Sequence, residues 1–336
     1  MTTMKRPDEA FIELLKRSGS ADKNEALAAQ RELAKAIELP LREGVLVGNI
    51  LDGIFEAIPM EPGTTTEFPL DLLAPGEEDE FVAYTNPGHG RIPERAVEGD
   101  YVMVPTYSIT SSIDYLLRYA REARWDVVGR AVQVLEASFV KKINDDGWHT
   151  LLSAGVDRNI LVYDADAAAG QFTKRVVSLM KTVMRRNGGG NSASINRSRL
   201  TDLYLSPEGI EDVRNWGVDQ IDEVTRREIY NAADESSVLT RVFGVNLHDI
   251  DELGESQEYQ SFFSNELSGS LGPSSDVELI VGLDQSSNDS FIMPVKEGVQ
   301  IFEDDTMHRH QRAGMYGWAE MGFAVLDNRR VLLGSF

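Results

Sequence analysis

The stretch Ser112–Leu152 limits the possible folds of this chain most strongly, because its apolar residues recur every three or four positions. On a helix of 3.6 residues per turn, this spacing gathers the apolar side chains into one stripe. Ser112 is a candidate N-cap, Asp145-Asp146-Gly147 is a candidate stop, and no proline intervenes. The pattern predicts a rod of roughly 50 Å, at a rise of ~1.5 Å per residue. Such a helix needs a partner along its whole length, either within an α/β enzyme core or in a subunit of an assembly.

The charge balance excludes a conventional DNA-binding protein. There are 33 basic and 55 acidic residues, a formal net charge of −22, and such a surface repels nucleic acid on the whole. A wall that encloses nucleic acid without binding it tightly remains compatible with this charge. The chain has no cysteine, which removes disulfides, thiolate metal sites and cysteine nucleophiles. No apolar run is long enough for a transmembrane span, and the N-terminus lacks the apolar core of a secretory signal.

The N-terminal region is predicted to be helical over Asp8–Arg17 and Ala21–Ile37, with Pro40 ending the second helix. Two interpretations stay open: an arm that lies on another molecule, or a helical pair packed on its own domain. Gly44–Ile58 is predicted to form a short strand or turn.

Between Glu61 and Asp100 the chain has ten acidic residues, two arginines and no lysine. Repeated prolines and glycines exclude a helix there. Short β-like runs (Thr65–Leu70, Glu80–Tyr84 and Tyr101–Pro105) flank the acidic segment 76–80. The pattern predicts a two-stranded ribbon with a charged tip, and a loop of this length is uncommon in a compact domain unless it has a function.

The region from Ala167 to Thr201 contains basic residues and no acid. Phe172–Arg186 is predicted to be a helix that turns Val176, Val177, Met180, Val183 and Met184 inward. The glycine-rich loop 187–194 could cradle a phosphate, but it follows a helix and lacks a Gly-Lys-Ser/Thr motif, which favours a mobile surface loop. The basic residues are Lys174, Arg175, Lys181, Arg185, Arg186, Arg197 and Arg199.

The remaining chain is predicted to be mainly strands. Ser206 is a candidate N-cap with Pro207 at the first helical position, opening a helix that ends at Trp216, and Asp222–Tyr230 is predicted to be a further turn or helix. Strands are predicted at 160–163, 200–205, 242–249, 277–283, 290–294, 298–302, 308–326 and 330–333.

The only cluster that resembles a metal site is His308 and His310 beside Glu303, Asp304 and Asp305. On a strand the two imidazoles would face the same way, but no third ligand follows at a recognisable spacing. No nucleophile elbow, zinc-protease motif or nucleotide fingerprint occurs. We therefore predict no catalytic residue, metal or cofactor, and no enzymatic activity.

Two stretches, together with the order of elements, resemble a known family. Arg309–Val331 is similar to the terminal strand and turn, and Leu205–Trp216 to the strand–helix step, of the major capsid proteins of tailed double-stranded DNA bacteriophages. The resemblance implies an α+β fold of the Hong Kong 97 type. The implied parts are an N-terminal arm (1–59), an extended loop (60–106), a peripheral domain with the spine helix (107–171), an axial domain (172–296) and return strands of the peripheral domain (297–336).

The resemblance also implies a function and partners. Subunits would associate into hexamers and pentamers of an icosahedral shell around double-stranded DNA, assembled in the host cytoplasm and retained in the virion, with no membrane. Portal, scaffolding and decoration proteins are further expected partners. Some family members join a loop lysine to a neighbour's asparagine, but residues 36–140 contain no lysine, so we expect non-covalent contacts. Because about 45 residues precede the body, we expect a separate scaffolding protein or none.

Two sets of contacts are predicted on this basis. We expect the ribbon tip to pair with arginines on the spine helix of an adjacent subunit, and the basic stretch 174–199 to lie near the capsomer axis or the inner wall. The first set joins Glu77, Glu78, Asp79 and Glu80 to Arg118, Arg121 and Arg124. Two other protein classes remain open: an encapsulin-type compartment of the same fold that holds an enzyme cargo, and an acidic α/β enzyme.

Overall fold

A computed structural model of the chain describes residues 9–47, 50–51, 53–69, 101–187, 198–216, 241–267, 271, 278–286, 288–304 and 306–336. Its helices are α1 (Glu9–Ser18), α2 (Lys23–Val47), α3 (Leu117–Arg121), α4 (Trp125–Asp157), α5 (Lys174–Asn187), α6 (Pro207–Asn215) and α7 (Glu258–Phe262). Its strands are β1 (Glu56–Pro59), β2 (Glu67–Pro69), β3 (Tyr101–Met103), β4 (Tyr107–Leu116), β5 (Leu161–Val162), β6 (Asp202–Leu205), β7 (Arg241–Val242), β8 (Val245–Asp249), β9 (Leu279–Leu283), β10 (Phe291–Asp304), β11 (Arg312–Met321), β12 (Ala324–Val325) and β13 (Val331–Ser335). No helix in these ranges is both long enough and apolar enough to cross a membrane.

The chain divides into two compact units. The first contains the described residues within 1–66, 104–147 and 293–323, and the second those within 67–103, 148–292 and 324–336. In α4, residues 125–147 therefore belong to the first unit and residues 148–157 to the second.

Helices α1 and α2 pack within the first unit. Leu15, Ala29 and Leu33 are fully buried, and Gln30 Nε2 donates a hydrogen bond to the Ser18 carbonyl at 3.1 Å. Of the two interpretations of the N-terminal region, the structure therefore supports a helical pair packed on its own domain.

The prediction that Pro40 ends the second helix is wrong, because α2 continues to Val47. Proline removes one backbone donor from the helix, yet Pro40 itself is exposed. Leu41 and Val45 are buried and continue the apolar stripe. Burial of this face offsets the missing hydrogen bond, so the residues up to Val47 are helical where a strand or turn was predicted.

The predicted start of the long helix at Ser112 is also wrong. Residues 107–116 form β4, which pairs antiparallel with β11 along all ten residues and places Ser112 opposite Tyr316. Buried Ile109 and Tyr115 share the inward face of the strand, a period of two that is typical of a half-buried strand. The apolar residues of this segment also match a helical stripe, which is why the periodicity alone was misleading.

The long helix exists, but it runs over Trp125–Asp157, 33 residues or about 50 Å at 1.5 Å per residue. The proposed stop at Asp145-Asp146-Gly147 lies inside it. A Cβ on Gly147 would stand 2.1 Å from Leu51 Cδ1, so the glycine permits close packing of the helix against Leu51 and does not end it.

The sheet of the first unit has the order β1-β10-β11-β4. The first two residues of β10, Phe291 and Ile292, belong to the second unit and pair there with β12. The two strands predicted at 290–294 and 298–302 are one strand, β10, whose register against β11 shifts between Val295 and Gln300. This shift in register falls at the gap between the two predicted strands, so the strand continues through it. Gly317 of β11 lies beneath the Phe139 ring of α4, since an added Cβ would be 3.3 Å from two of its ring carbons.

The second unit is built on a six-stranded sheet of order β5-β13-β9-β6-β8-β7. Helix α5 turns four fully buried side chains toward the core, as predicted; Val183 packs against them partly buried. The Ser206 cap is also confirmed, because its Oγ accepts a hydrogen bond from the Gly209 amide at 3.2 Å with Pro207 at the first helical position. The buried residues of α5 are Val176, Val177, Met180 and Met184.

Strand β13 lies in this second sheet, between β5 and β9, although the sequence grouped residues 297–336 together. All of its five residues are buried. A strand that is buried throughout fits an interior position in a sheet, which β13 finds beside β9. The predicted turn or helix at 222–230 lies outside the described residues.

A buried glutamate, Glu278, is hydrogen-bonded to the Ser206 cap. The Ser206 hydroxyl donates a hydrogen bond to Glu278, whose residue surface is 8% exposed. Burial raises the pKa of Glu278 above its ordinary value; the hydrogen bond from Ser206 opposes that shift, and the nearby Glu208, Asp212 and Glu255 add to it. The folded state therefore holds this proton more strongly than the unfolded state does.

We predict that Glu278→Gln stabilises the second unit at neutral pH but not in acid. With a raised folded-state pKa, the contribution of Glu278 to stability is fully present below the pKa of the unfolded chain, about 4.3, and is lost as the pH rises through the folded-state pKa. The difference in melting temperature between variant and wild type should therefore be small near pH 4 and grow toward pH 7. Glu211→Gln, an exposed change on α6, is the control. A pH-independent difference for Glu278→Gln would contradict the assignment.

Candidate inter-subunit surfaces and a basic cleft

Two arginines surround one partly buried tyrosine, Tyr119, where α3 leads into α4. The Arg118 guanidinium lies 5.0 Å from the centre of the Tyr119 ring and the Arg124 guanidinium 5.9 Å. Arg118 Nη2 also donates to the Tyr119 hydroxyl at 3.1 Å, and Arg124 forms an ion pair with Glu122 at 2.8 Å. The arrangement presents positive charge above an aromatic face.

The sequence predicted that Arg118, Arg121 and Arg124 lie on the spine helix, and this prediction is wrong. Arg118 and Arg121 belong to α3, and Arg124 lies just before α4. Helices α3 and α4 are separate because Ala123, between them, has a left-handed backbone with φ of 52°. A right-handed helix cannot continue through that conformation.

Arg121 has an internal role. Its Nε donates to the Gly19 carbonyl at 2.5 Å, which ties α3 to the turn between α1 and α2. Of the three predicted arginines, Arg118 and Arg124 are thus the ones arranged around the partly buried Tyr119 ring. Their predicted acidic partners, Glu77, Glu78, Asp79 and Glu80, lie outside the described residues.

The base of the predicted ribbon is present as the pair β2–β3. Phe68 lies opposite Val102, and Pro69 opposite Tyr101. Tyr101 is 69% exposed and Met103 64% exposed, and both project from the same side of β3, since alternate residues share a face. A two-stranded ribbon is marginally stable by itself, and this one leaves an aromatic and a thioether side chain exposed.

The predicted basic stretch separates into two groups on α5. At its first turn, Arg175 forms ion pairs with Asp164, at 3.2 Å, and with Asp166, beside exposed Lys174. Further along, Lys181 Nζ donates to the Phe243 carbonyl at 2.7 Å. Lys181, Arg185, Arg186 and Arg199 then line one cavity, and Arg197 lies outside the described residues.

This cavity, which we call the basic cleft, has a volume of about 1260 Å³. Its cationic lining is Lys181, Arg185, Arg186, Arg199 and Arg241. Arg241 was missed by the sequence analysis because it is remote from the other four in the chain. A tight hairpin places it there: Phe243 and Gly244 have φ of 51° and 78°, as a two-residue turn of this type requires, and Arg241 lies opposite Asn246.

One carboxylate, Asp202, also lines the cleft. Its Oδ1 accepts hydrogen bonds from Asn246 Nδ2 at 2.9 Å and is 2.9 Å from His248 Nε2. Burial alone would raise the pKa of Asp202, but these hydrogen bonds outweigh burial and hold the pKa below its ordinary value. The carboxylate therefore stays ionised and is already paired within the sheet.

The histidine pair does not adopt the geometry that a metal site on a strand would need. His308 and His310 lie in the 3₁₀ turn Met307–His310, where alternate residues do not share a face. Glu303 pairs with Arg31, and Asp304 accepts a hydrogen bond from the Thr306 amide at 2.9 Å. Within the described ranges no three side chains of ligand type are grouped for a metal ion.

No protein-family model matches the chain, and no curated protein matches its sequence. Solved structures match it in three dimensions. A structure from Microbacterium phage Oxtober96 is similar with a TM-score of 0.57 at 11% identity, over 86% of this chain and 90% of that chain. The capsid asymmetric unit of cyanophage Pam1 matches with a TM-score of 0.56 at 14% identity, over 84% and 88%. The capsid of Myoviridae phage XM1 matches with a TM-score of 0.54 at 12% identity, over 85% and 90%.

These likenesses extend over most of both chains. They confirm the predicted fold class: the chain has the α+β, Hong Kong 97-type fold, and α4 is its spine helix.

Proposed function

From this fold we propose that the chain is a major capsid protein, which assembles by non-covalent contacts into the hexamers and pentamers of an icosahedral shell around phage double-stranded DNA. The observation that carries the proposal is the likeness, over most of the chain, to structures that are themselves phage capsids. The role is structural, without catalysis. Assembly takes place in the host cytoplasm, with portal, scaffolding and decoration proteins as further partners.

We assign the domains as the resemblance implies: arm 1–59, extended loop 60–106, peripheral domain 107–171 with return strands 297–336, and axial domain 172–296. The last return strand, β13, pairs with β5 on one side and with β9 of the axial domain on the other. The exposed Tyr101 and Met103 at the base of the loop support its contact with a neighbouring subunit, which would cover them.

The acidic ribbon tip is proposed to pair with Arg118 of an adjacent subunit. Arg118 is suited to this role, because it is exposed and its hydrogen bond and ring contact are to the neighbouring Tyr119. Exposed ion pairs contribute little singly, about 0–1 kcal/mol, but icosahedral symmetry repeats each pair many times.

We predict that Glu78→Lys and Arg118→Glu each lower shell yield and the temperature at which shells dissociate. The exchange variant that carries both changes should recover both properties, since it restores opposite charges at the contact. Arg158→Glu, a charge reversal outside the proposed contact, is the matched control. If the exchange variant behaves as the sum of the two single changes, Glu78 and Arg118 are not partners.

The basic stretch 174–199 is proposed to lie near the capsomer axis or the inner wall, where it offsets repulsion among acidic subunits. The separation of charge along α5 supports this, because Arg175 is neutralised by aspartates of its own chain while the residues of the cleft remain at the surface. A reconstruction of the shell tests the placement, and finding all these residues on the outer surface away from any neighbour would contradict it.

The content of the particles distinguishes the capsid from a compartment. Particles isolated from infected cells and treated with nuclease should retain protected double-stranded DNA. Particles that hold a protein cargo and no DNA would instead identify an encapsulin-type shell.

A further inference from the structure

We propose that the basic cleft of the second unit binds a polyphosphate anion: several linked phosphate groups, either from a small polyphosphate or from a nucleic-acid backbone. Five cationic side chains line the cleft, in a chain whose formal net charge is −22. Most of such an acidic surface repels anions, whereas a cavity lined by five cations attracts them.

Three separate elements bring the charges together. Arg185 and Arg186 occupy the last turn of α5, Arg199 precedes β6, and Arg241 belongs to β7. Of these side chains, Arg186, Arg199 and Arg241 are exposed and pair with no carboxylate in the described part of the chain. Asp202, the carboxylate of the cleft, is already engaged by Asn246 and His248.

Hydrogen bonds within the chain hold the backbone around the cleft in place without a ligand. The Lys181 ammonium holds the carbonyl of Phe243, which anchors the tight β7–β8 turn, and the hydrogen bond from Asn246 to Asp202 joins β8 to β6. Arg241 therefore extends from a strand with a defined register and Arg199 from the residues just before β6, so a bound anion meets cations whose backbone is already positioned.

The chemistry of the lining favours phosphate. Four of the five cations are arginines, whose planar guanidinium groups bind phosphate oxygens in pairs. Their mutual repulsion is relieved by one multivalent anion more completely than by several single ions. The volume of about 1260 Å³ exceeds the usual size of a small-ligand pocket, about 300–1,000 Å³. The space suits several linked phosphates better than one orthophosphate.

The test is calorimetric titration of the full chain with sodium tripolyphosphate at constant ionic strength. We expect saturable binding by the wild type and at least about tenfold weaker binding by Arg186→Gln/Arg199→Gln, a difference of about 1.4 kcal/mol. The matched control is Arg158→Gln/Lys174→Gln, which removes the same charge from the second unit outside the cleft and should bind within about twofold of wild type. Thermal unfolding of each variant verifies that it is folded.

Three results would overturn the proposal. They are no binding of tripolyphosphate by wild type, equal weakening in the cleft and control variants, or tighter binding of a peptide with the sequence of residues 76–80, which carries carboxylates in place of phosphates. A short DNA duplex identifies the source of the ligand. If the duplex competes with tripolyphosphate and its binding also depends on Arg186 and Arg199, the cleft takes a nucleic-acid backbone. If only tripolyphosphate binds in this way, the ligand is a small polyphosphate.

Discussion

Replacing Phe139 by alanine is expected to lower the free energy of unfolding of the first unit by about 3–5 kcal/mol. Phe139 is 0% exposed and lies on α4 above Gly317 of β11. The strand cannot move up to fill the space, because Gly317 is held in register opposite Ile301 of β10 and Ser111 of β4. The change therefore leaves a cavity at the contact between the spine helix and its sheet.

The control for this prediction is Val134→Ala on the same helix. Val134 is 57% exposed, so its truncation should alter the stability of an isolated subunit by no more than about 0.5 kcal/mol. Denaturant unfolding of dissociated subunits measures both variants under the same conditions. Equal losses would mean that Phe139 does not anchor the helix.

Replacing Trp148 by alanine is expected to cost about 3–5 kcal/mol in the second unit. Trp148 is 0% exposed; its ring meets Tyr204 edge-on at 5.3 Å and stacks on Tyr259 at 5.7 Å. Removing the indole empties the space between α4, β6 and α7. The loss is measured as a shift in the denaturant midpoint.

Trp148→Phe separates ring volume from hydrogen bonding. The buried Trp148 Nε1 has no hydrogen-bond partner in the described part of the chain, so phenylalanine forfeits no bond while keeping most of the aromatic contact. We expect its cost to be less than half that of Trp148→Ala. If the two substitutions cost the same, a polar interaction of Nε1 contributes and the aromatic-packing explanation fails.

The elements that the sequence predicted well are those specified by local chemistry. The inward residues of α5 follow a clean helical period, and the start of α6 combines a serine cap with proline at the first helical position. Both features depend on neighbours only a few positions away in the chain, which a sequence displays directly.

The errors arose where distant residues decide the outcome. Pro40 stays within α2 because Leu41 and Val45 are buried by tertiary packing. Residues 112–116 join a sheet because β11, far along the chain, pairs with them, and Gly147 packs against Leu51 where a helix stop was predicted. None of these partners can be inferred from a local periodicity.

For the candidate surfaces, too, the sequence predicted what local composition determines and missed what distant residues determine. The sequence identified the basic stretch on α5 by its composition, but Arg241 joins the cleft only through the β7–β8 hairpin. The sequence also grouped Arg121 with Arg118, although the fold uses Arg121 to hold the carbonyl of Gly19. Whether a charged side chain faces a neighbour or its own chain is decided by tertiary structure.

The size of the purified protein tests the capsid proposal most directly. Light scattering over a range of concentrations, with negative-stain microscopy of the same samples, should detect megadalton closed shells or hexameric rings. A monomer or dimer that stays unchanged at high concentration and with a crowding agent would contradict the proposal.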